Sequence, residues 1–579
     1  DILTGRINPS GKLGFTIAES LWDYPTANNF TWNKENPEDI LTYENYGLSA
    51  AKNGSIGYDK SPVTLYQEDI YLGYRYFDTF QKKVLFPFGS GLSYTSFDIV
   101  PKEVIQQDEE YEIVTEVTNT GNYAGKETVQ LYLSCQNTAT ERPQKELKGF
   151  EKTKLLAPGE SEEIHIYIER KELAVYVEAK ASYILEKGTY CFLIGNTSNK
   201  VETAGEIHVD EDLIIKKCTN CLQIQECNVE QLRFLSAKSG EKKAEHYDNS
   251  RSESCRSEAA LKNETAELKD FSIRQLAALC VGYGPGIPFA AFSDTKNPET
   301  IFDEQGNPLT VNDHSIGTNG YVSPAIPEKG IHSIFYKDGP AGVGTGAWPT
   351  EMLISCSFNK ELWKEFGNAV GGACEKQGVN VWLAPAVNLH RHPLCGRNFE
   401  YFSEDPYLTG MCAVQITKGV QETHNVCVCP KHFAVNEQET YRRGSAKKNY
   451  DAADSILTER AARELYLKPF EMLVQEAGIS FIMTSFNKIN GIFAGGNKDL
   501  CTHILREEWN FEGVVVTDWG DMDIVVDGGD AVAAGNDIVM PGGPPVIGQI
   551  LEAYEEGRVT RTNLERSVSR LLHVLKKFS

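Results

Sequence analysis

From residue 97 to 209, apolar and polar positions alternate along four runs: YEIVTEVTNTG, ETVQLYLSC, SEEIHIYIE and TYCFLIGN. A period of two places one face of an extended chain against a core and the other in water. The segments NTGNYAG, LAPGESEE and EKGTY separate the runs with turn-forming residues. Several short strands at regular spacing predict a β-sandwich here.

From 266 to 579 the pattern changes. Short β-branched runs (IHSIFYKDG, VNVWLAPAVN, VCVCPKHF, ISFIMTSFN, GVVVTDWG and NDIVMPGG) alternate with amphipathic stretches such as FNKELWKEFGNAVGGACEKQG and DAADSILTERAARELYLKPFEMLVQEAG. Repeated strand-then-helix units predict a parallel, TIM-like barrel, with an open doubly wound sheet as the alternative. Residues 1–96 are turn-dense, as in RINPSGKLGF and VLFPFGSGLSY, and read as the tail of a domain whose body lies elsewhere. Residues 210–265 are rich in Ser, Lys and Glu and read as a linker with one or two solvated helices.

A chain of 579 residues exceeds what one core holds, which fits this division. Its formal charge of −24 argues against nucleic acid or an anionic membrane as partner. No apolar run is long enough to cross a bilayer. No charged-then-apolar leader follows Asp1, so no signal peptide is expected. Fourteen cysteines are scattered, mostly inside apolar runs, which points to free thiols in a reducing, cytoplasmic setting. Cys218, Cys221, Cys227 and Cys255 are too irregularly spaced for a zinc knot. The sequons at Asn29, Asn53, Asn196 and Asn263 are read as unglycosylated for the same compartment reason.

In a (β/α) barrel the chemistry lies where strands end. Those ends carry Asp338, then Arg391 and Arg397, then Lys431-His432, Met483 through Asn487, and Asp518-Trp519. Two acids, several cations and an indole at one rim suit a neutral polyhydroxylated ligand: cations donate to hydroxyls, Asp accepts, Trp stacks. No G-x-G-x-x-G opens a helix after a strand, since GVGTG at 342–346 lacks that context, and no H-E-x-x-H is present. No cofactor or metal is implied.

The strings KDGPAGV, GRNFEYFSEDPYLTG, KHFAVNEQETYR, MTSFNKING and VVVTDWG resemble glycoside hydrolase family 3, the β-glucosidase family, in the same order through residues 330–542. INPSGKL and EDIYLGYRYFDTFQKKVLFPFGSGLSYTSF are similar to the end of that family's α/β-sandwich domain. The 97–209 region is similar to its fibronectin-III-like domain. The resemblance thus implies four segments: the C-terminal part of an α/β sandwich (1–96), a fibronectin-III-like sandwich (97–209), a linker (210–265) and a TIM-like barrel (266–579). The common family order is barrel first; this is the swapped arrangement, in which a whole sandwich domain precedes the point where this chain starts.

Residue by residue, the resemblance implies that Asp518 is the nucleophile of a retaining mechanism. Asp338, Arg397, Lys431, His432 and Arg442 match hydroxyl-binding positions, and Met483 and Trp519 match apolar sugar contacts. Plainer roles stay open: a helix cap for Asp518, a turn residue for Asp338, an ion pair with Glu400 or Glu404 for Arg397, and core packing for His432, Met483 and Trp519. Two positions depart from the family pattern. Gly344 stands where an Arg is common, and Phe486 stands where a Tyr is common, so a hydroxyl near the nucleophile is lost.

Retention needs a second carboxyl group as acid and base. The resemblance places that Glu upstream of the segment matching 1–96, and the His used by β-N-acetylglucosaminidases is absent from KHFAVNEQE. The expectation is therefore an exo-acting retaining β-glucosidase whose acid/base comes from a second polypeptide or a segment outside this chain. The alternatives are a β-xylosidase or other β-glycosidase, and a carbohydrate-binding pseudoenzyme.

Overall fold

The computed structural model describes residues 1–31, 40–46, 62–224, 232–243, 268–282, 321–323, 329, 331, 333–344, 347–445, 450–519 and 526–578. The alternating runs form two antiparallel sheets. Phe97–Gln106, Glu110–Asn119 and Ser161–Glu169 make one. Lys200–Val209, Gly188–Thr197, Thr128–Gln136 and Glu146–Lys152 make the other, in that order. In Ser161–Glu169 only Ile164, Ile166 and Ile168 are buried, as the period of two requires. They join Ile113, Val117, Leu131, Leu133 and Phe192 in one core between the sheets.

The segment read as a solvated linker differs from that expectation. Among its described residues, Leu213–Lys217 pairs with Ser182–Leu185, and Arg233–Ser236 forms a hairpin with Gly240–Lys243. Sheet pairing outweighs composition here: LIIKK carries a β-branched pair, and Gly240 supplies the φ of 77° that closes the hairpin. Residues 244–267, with Cys255 and Asn263, lie outside the described residues, as do Cys227 and Asn53.

In the C-terminal half, Phe335–Asp338, Val381–Leu383 and Cys427–Val428 run parallel side by side. Parallel bridges continue the arc through Phe433 and Thr484 to Phe481–Met483 and Val514–Val516, and on through Ile538 and Val539 to Val281. One pairing is not parallel: Tyr321–Val322 lies antiparallel to Phe335–Asp338. The helices Lys360–Lys376, Pro406–Gln421 and Lys468–Ala477 cover this arc around Trp363, Val370, Leu408, Ile416 and Phe470. The stretch DAADSILTERAAREL, expected as helix throughout, opens instead with the strand Asp454–Ile456; helix starts only where Thr458 caps the Ala461 N–H.

That strand explains where residues 1–96 sit. Val63–Leu65 pairs in parallel with Asp454–Ile456, so the N-terminal segment donates a strand to a sheet of the C-terminal half. Around it, Arg391 Nε and Nη2 reach Glu68 Oε1 and Oε2 at 2.6 and 3.0 Å, with both side chains fully buried. Arg391, read from the sequence as a rim residue, is thus a buried clasp between two halves of the chain, with Tyr66 stacked 4.0 Å below its guanidinium. Glu404 accepts from Thr16 N, Thr16 Oγ1 and Tyr74 N. Gly73 comes so close that a Cβ would stand 2.2 Å from the Glu404 carboxyl carbon. Asn29 is buried and bound to Arg391, so it is closed to glycosylation in this fold. Among the described residues every cysteine is a free thiol, and no helix is long and apolar enough to cross a membrane.

Candidate active site

The parallel strands point their carboxyl ends to one rim, and the side chains gathered there follow from that topology. Asp518 comes two residues after Val514–Val516. Its backbone N–H donates to Thr484 O at 3.2 Å, and its Oδ1 accepts from Trp519 N at 2.6 Å. Among the described residues Oδ2 has no hydrogen-bond partner; it lies 3.7 Å from His432 Nε2 and 3.6 Å from Arg442 Nη1. The Asp518 side chain is 12% exposed, so it is neither sunk in the core nor free in solvent. Residues 520–525, where a helix cap would act, lie outside the described residues.

Burial, together with the cations of Arg397, Lys431 and Arg442, pushes His432 well below the ordinary imidazole range, so the ring is neutral. Its backbone N–H and Nδ1 both face Asn388 Oδ1, at 2.8 and 3.3 Å, while Asn388 Nδ2 donates back to His432 O. That network assigns the ring proton to Nδ1. Nε2 then carries a lone pair facing Asp518 Oδ2, so two acceptors stand 3.7 Å apart and each calls for a donor of its own; one sugar hydroxyl can serve one of them.

Across the rim, Lys431 Nζ donates to Asp338 Oδ1 at 2.5 Å. Crowding by protein atoms works against the Asp338 charge, but Lys431 and then Arg397 outweigh it and hold the carboxyl below its usual range. The Asp338 side chain remains 58% exposed and open to a ligand. Arg397 is paired with Glu400 through Nε and Nη2, as its plainer reading foresees, yet its Nη1 is buried without a hydrogen-bond partner. One guanidinium edge is thus anchored and another is left to donate.

The apolar side is built from Phe486, Met483 and Trp519. Phe486 is buried and carries the Arg442 guanidinium 5.0 Å and that of Arg443 5.9 Å from its ring centre. Met483 ends its strand inside the apolar cluster behind the site, opposite Val516. Trp519 is partly buried, edge-on to Tyr336 at 6.4 Å. The structure therefore brings Asp518, His432 and Arg442 into one group and Asp338 and Lys431 into another, with Arg397 acting electrostatically on both.

Sequence reasoning missed Asn388, which orients His432, and Glu439, which binds Arg442 Nε at 3.2 Å. The second had a weak signal, a spacing of three residues in NEQETYRR, which the fold turns into a tight turn in which Arg442 N donates to Glu439 O. The first had none, because its contact spans 44 residues. A cleft between the sandwich and the helical layer, lined by Arg142, Glu146, Lys148, Glu172, Lys216 and Lys468, holds none of these rim residues.

The glycosyl hydrolase family 3 N terminal domain matches residues 329–574, and the fibronectin type III-like domain matches residues 127–198. Beta-glucosidase A of Butyrivibrio fibrisolvens is 33% identical, over 98% of this chain and 68% of its own length. A beta-glucosidase of Ruminococcus albus is 34% identical, over 99% of this chain and 58% of its own. The crystal structure of a beta-glucosidase from Paenibacillus barengoltzii superposes with a TM-score of 0.78 at 30% identity, covering 99% of this chain and 63% of that one. This chain therefore spans roughly three-fifths to two-thirds of these relatives. With a third of the residues shared across more than two-thirds of the first relative, it belongs to glycoside hydrolase family 3.

Proposed function

We propose that the chain carries the nucleophile half of an exo-acting, retaining β-glucosidase, which releases terminal non-reducing β-D-glucosyl residues. The observation that carries this reading is the Asp518 carboxylate, with Oδ2 unbonded between neutral His432 and cationic Arg442. The arc of parallel strands is, in this reading, the wall of a TIM-like barrel whose rim holds the sugar. Asp338 accepts sugar hydroxyls, Lys431, Arg397 and Arg442 donate to them, and Trp519 and Met483 face the ring.

In the first step Asp518 attacks the anomeric carbon. The bond to the aglycone oxygen breaks, and that oxygen takes a proton from an acid. In the second step water, losing its proton to the same group, displaces Asp518 and frees glucose. Retaining pairs of carboxyl groups stand about 5–5.5 Å apart. Around Asp518 the described carboxylates are engaged with cations, Glu400 with Arg397 and Glu439 with Arg442. The acid/base is accordingly assigned to a Glu on a further polypeptide segment that docks against residues 1–96. That segment's exposed Trp22, Leu85, Phe86 and Leu92 support such a docking face. The longer relatives support it too. A cytoplasmic setting completes the reading, supported by the free thiols and tested by cell fractionation.

Incubation with a 2-deoxy-2-fluoro-glucoside bearing a dinitrophenolate leaving group tests the proposal, because such a substrate needs little acid assistance. A glycosyl adduct on the peptide containing Asp518 is expected in the mass spectrum. Sugar binding with no adduct would instead make the chain a carbohydrate-binding pseudoenzyme.

A further inference from the structure

Glu439 has no role in the mechanism above, yet it lies inside the charge network of the nucleophile. Its Oε1 meets Arg442 Nε at 3.2 Å, and its Oε2 is buried without a hydrogen-bond partner. The same guanidinium presents Nη1 to Asp518 Oδ2 at 3.6 Å and lies over the Phe486 ring at 5.0 Å. Arg442 is thus held between two carboxylates and one aromatic face. The contact to Glu439 is the shorter of the two; the contact to Asp518 lies beyond hydrogen-bond length.

That asymmetry matters for a nucleophile. A cation a few ångströms away keeps a carboxylate ionised. A direct guanidinium–carboxylate hydrogen bond would occupy the lone pair that must attack carbon. We infer that Glu439 is a positioning residue: by competing for Arg442 it holds the guanidinium off Asp518, close enough to favour the charge and too far to quench it. This rests on the β-glucosidase reading and adds to it a control of nucleophile strength. Burial pushes the Glu439 carboxyl up, Arg442 and Arg397 pull it down, and Asp518 pushes it up again. Among the described residues, the other charged or titratable groups facing Asp518 are neutral His432, Arg397 and the Cys429 thiol, with Glu400 behind Arg397.

The test is Glu439→Gln in the complete enzyme, assayed on dinitrophenyl and alkyl β-glucosides. Gln keeps an acceptor for Nε but gives up the competing charge, leaving Asp518 as the anion nearest Arg442. The expected result is a fall in kcat of about 100-fold, as for a small misplacement of a reacting group, with KM little changed. Glu439→Asp should recover part of the rate. In an Arg442→Lys background Glu439→Gln should add little further loss. A fall that Glu439→Asp does not recover, or that persists in full in the Arg442→Lys background, would reflect local unfolding and would overturn the inference. So would a loss that grows with poorer leaving groups, because it would make Glu439 a proton donor. Turnover unchanged by Glu439→Gln sinks this inference alone. No turnover by the unaltered enzyme sinks the β-glucosidase reading and this inference with it.

Discussion

At the scale of single residues, the proposed chemistry at this rim rests on what each polar group is denied among the described residues. Asp518 Oδ2 is denied a hydrogen bond, His432 Nε2 a proton, and Arg397 Nη1 an acceptor. Buried polar atoms left in this state are costly, and under the proposed function sugar hydroxyls complete them. Replacing Asp518 by Gly should lower kcat on a dinitrophenyl glucoside by ~10⁴-fold, equivalent to about 5.5 kcal/mol of barrier. Added azide should restore turnover by attacking from the vacated face, giving an α-glucosyl azide that proton NMR identifies by its anomeric coupling. Restoration without inversion would remove Asp518 from the role of nucleophile.

At the scale of elements, the turn at Gly73 before the helix Tyr74–Thr79 is a tight joint between the N-terminal segment and the C-terminal half. Its φ of 56° is unfavourable for any L side chain, and a methyl group there would overlap Glu404. Gly73→Ala should therefore cost about 2–4 kcal/mol, the sum of a left-handed backbone and overpacking, read as a lower urea midpoint. Elements were legible in the sequence where one physical signal dominated. The alternation in SEEIHIYIE gave the Ser161–Glu169 strand, because both faces of that strand differ in environment. The β-branched run before Asp518 gave its strand, and with it the rim. Elements were hidden where the partner, not the local sequence, decided the outcome. Leu213–Lys217 is a strand because Ser182–Leu185 offers an edge, and Asp454–Ile456 because Val63–Leu65 lies beside it. The same holds for the site. Asp338, Lys431, His432 and Asp518 could be placed by their positions at strand ends. The burial of Arg391 against a residue 323 positions away could not, and it left a structural arginine looking like a rim cation.

At the scale of the whole molecule, stability is shared across distant segments. Glu68→Ala would strand the Arg391 guanidinium in the interior, and a loss of about 3–5 kcal/mol in urea unfolding is expected. Replacing both partners, by Glu68→Leu with Arg391→Met, should return much of that loss, because two apolar side chains leave no buried charge.

Protons act at this scale as well. Burial pushes His390 down to about 4, and burial with Arg391 nearby pushes His392 down to about 3. An unfolded histidine titrates near ~6.5, so below that pH the unfolded chain binds protons the fold refuses. Their contribution to stability is present at neutral pH and is lost as pH falls from about 6.5 toward those values. Glu404 and Glu437, pushed up to about 7 by burial, act in the opposite sense and favour the fold as pH falls below 7. His392→Phe keeps a ring stacked on Phe30, which lies at 4.2 Å. Its melting temperature relative to the parent should rise steadily between pH 7 and pH 4. A constant offset would contradict the assignment.

The parallel pairing of Val63–Leu65 with Asp454–Ile456 reaches further than its six residues. Residues 63–65 are woven into a sheet of the C-terminal half, so the chain between the two strands closes a loop, and the fibronectin-like module in that loop packs on the same half through Phe150 against Phe358 and Trp363. Fragments severed anywhere along that loop would stay clasped on a sizing column, and separately expressed pieces should find each other and zip into one particle.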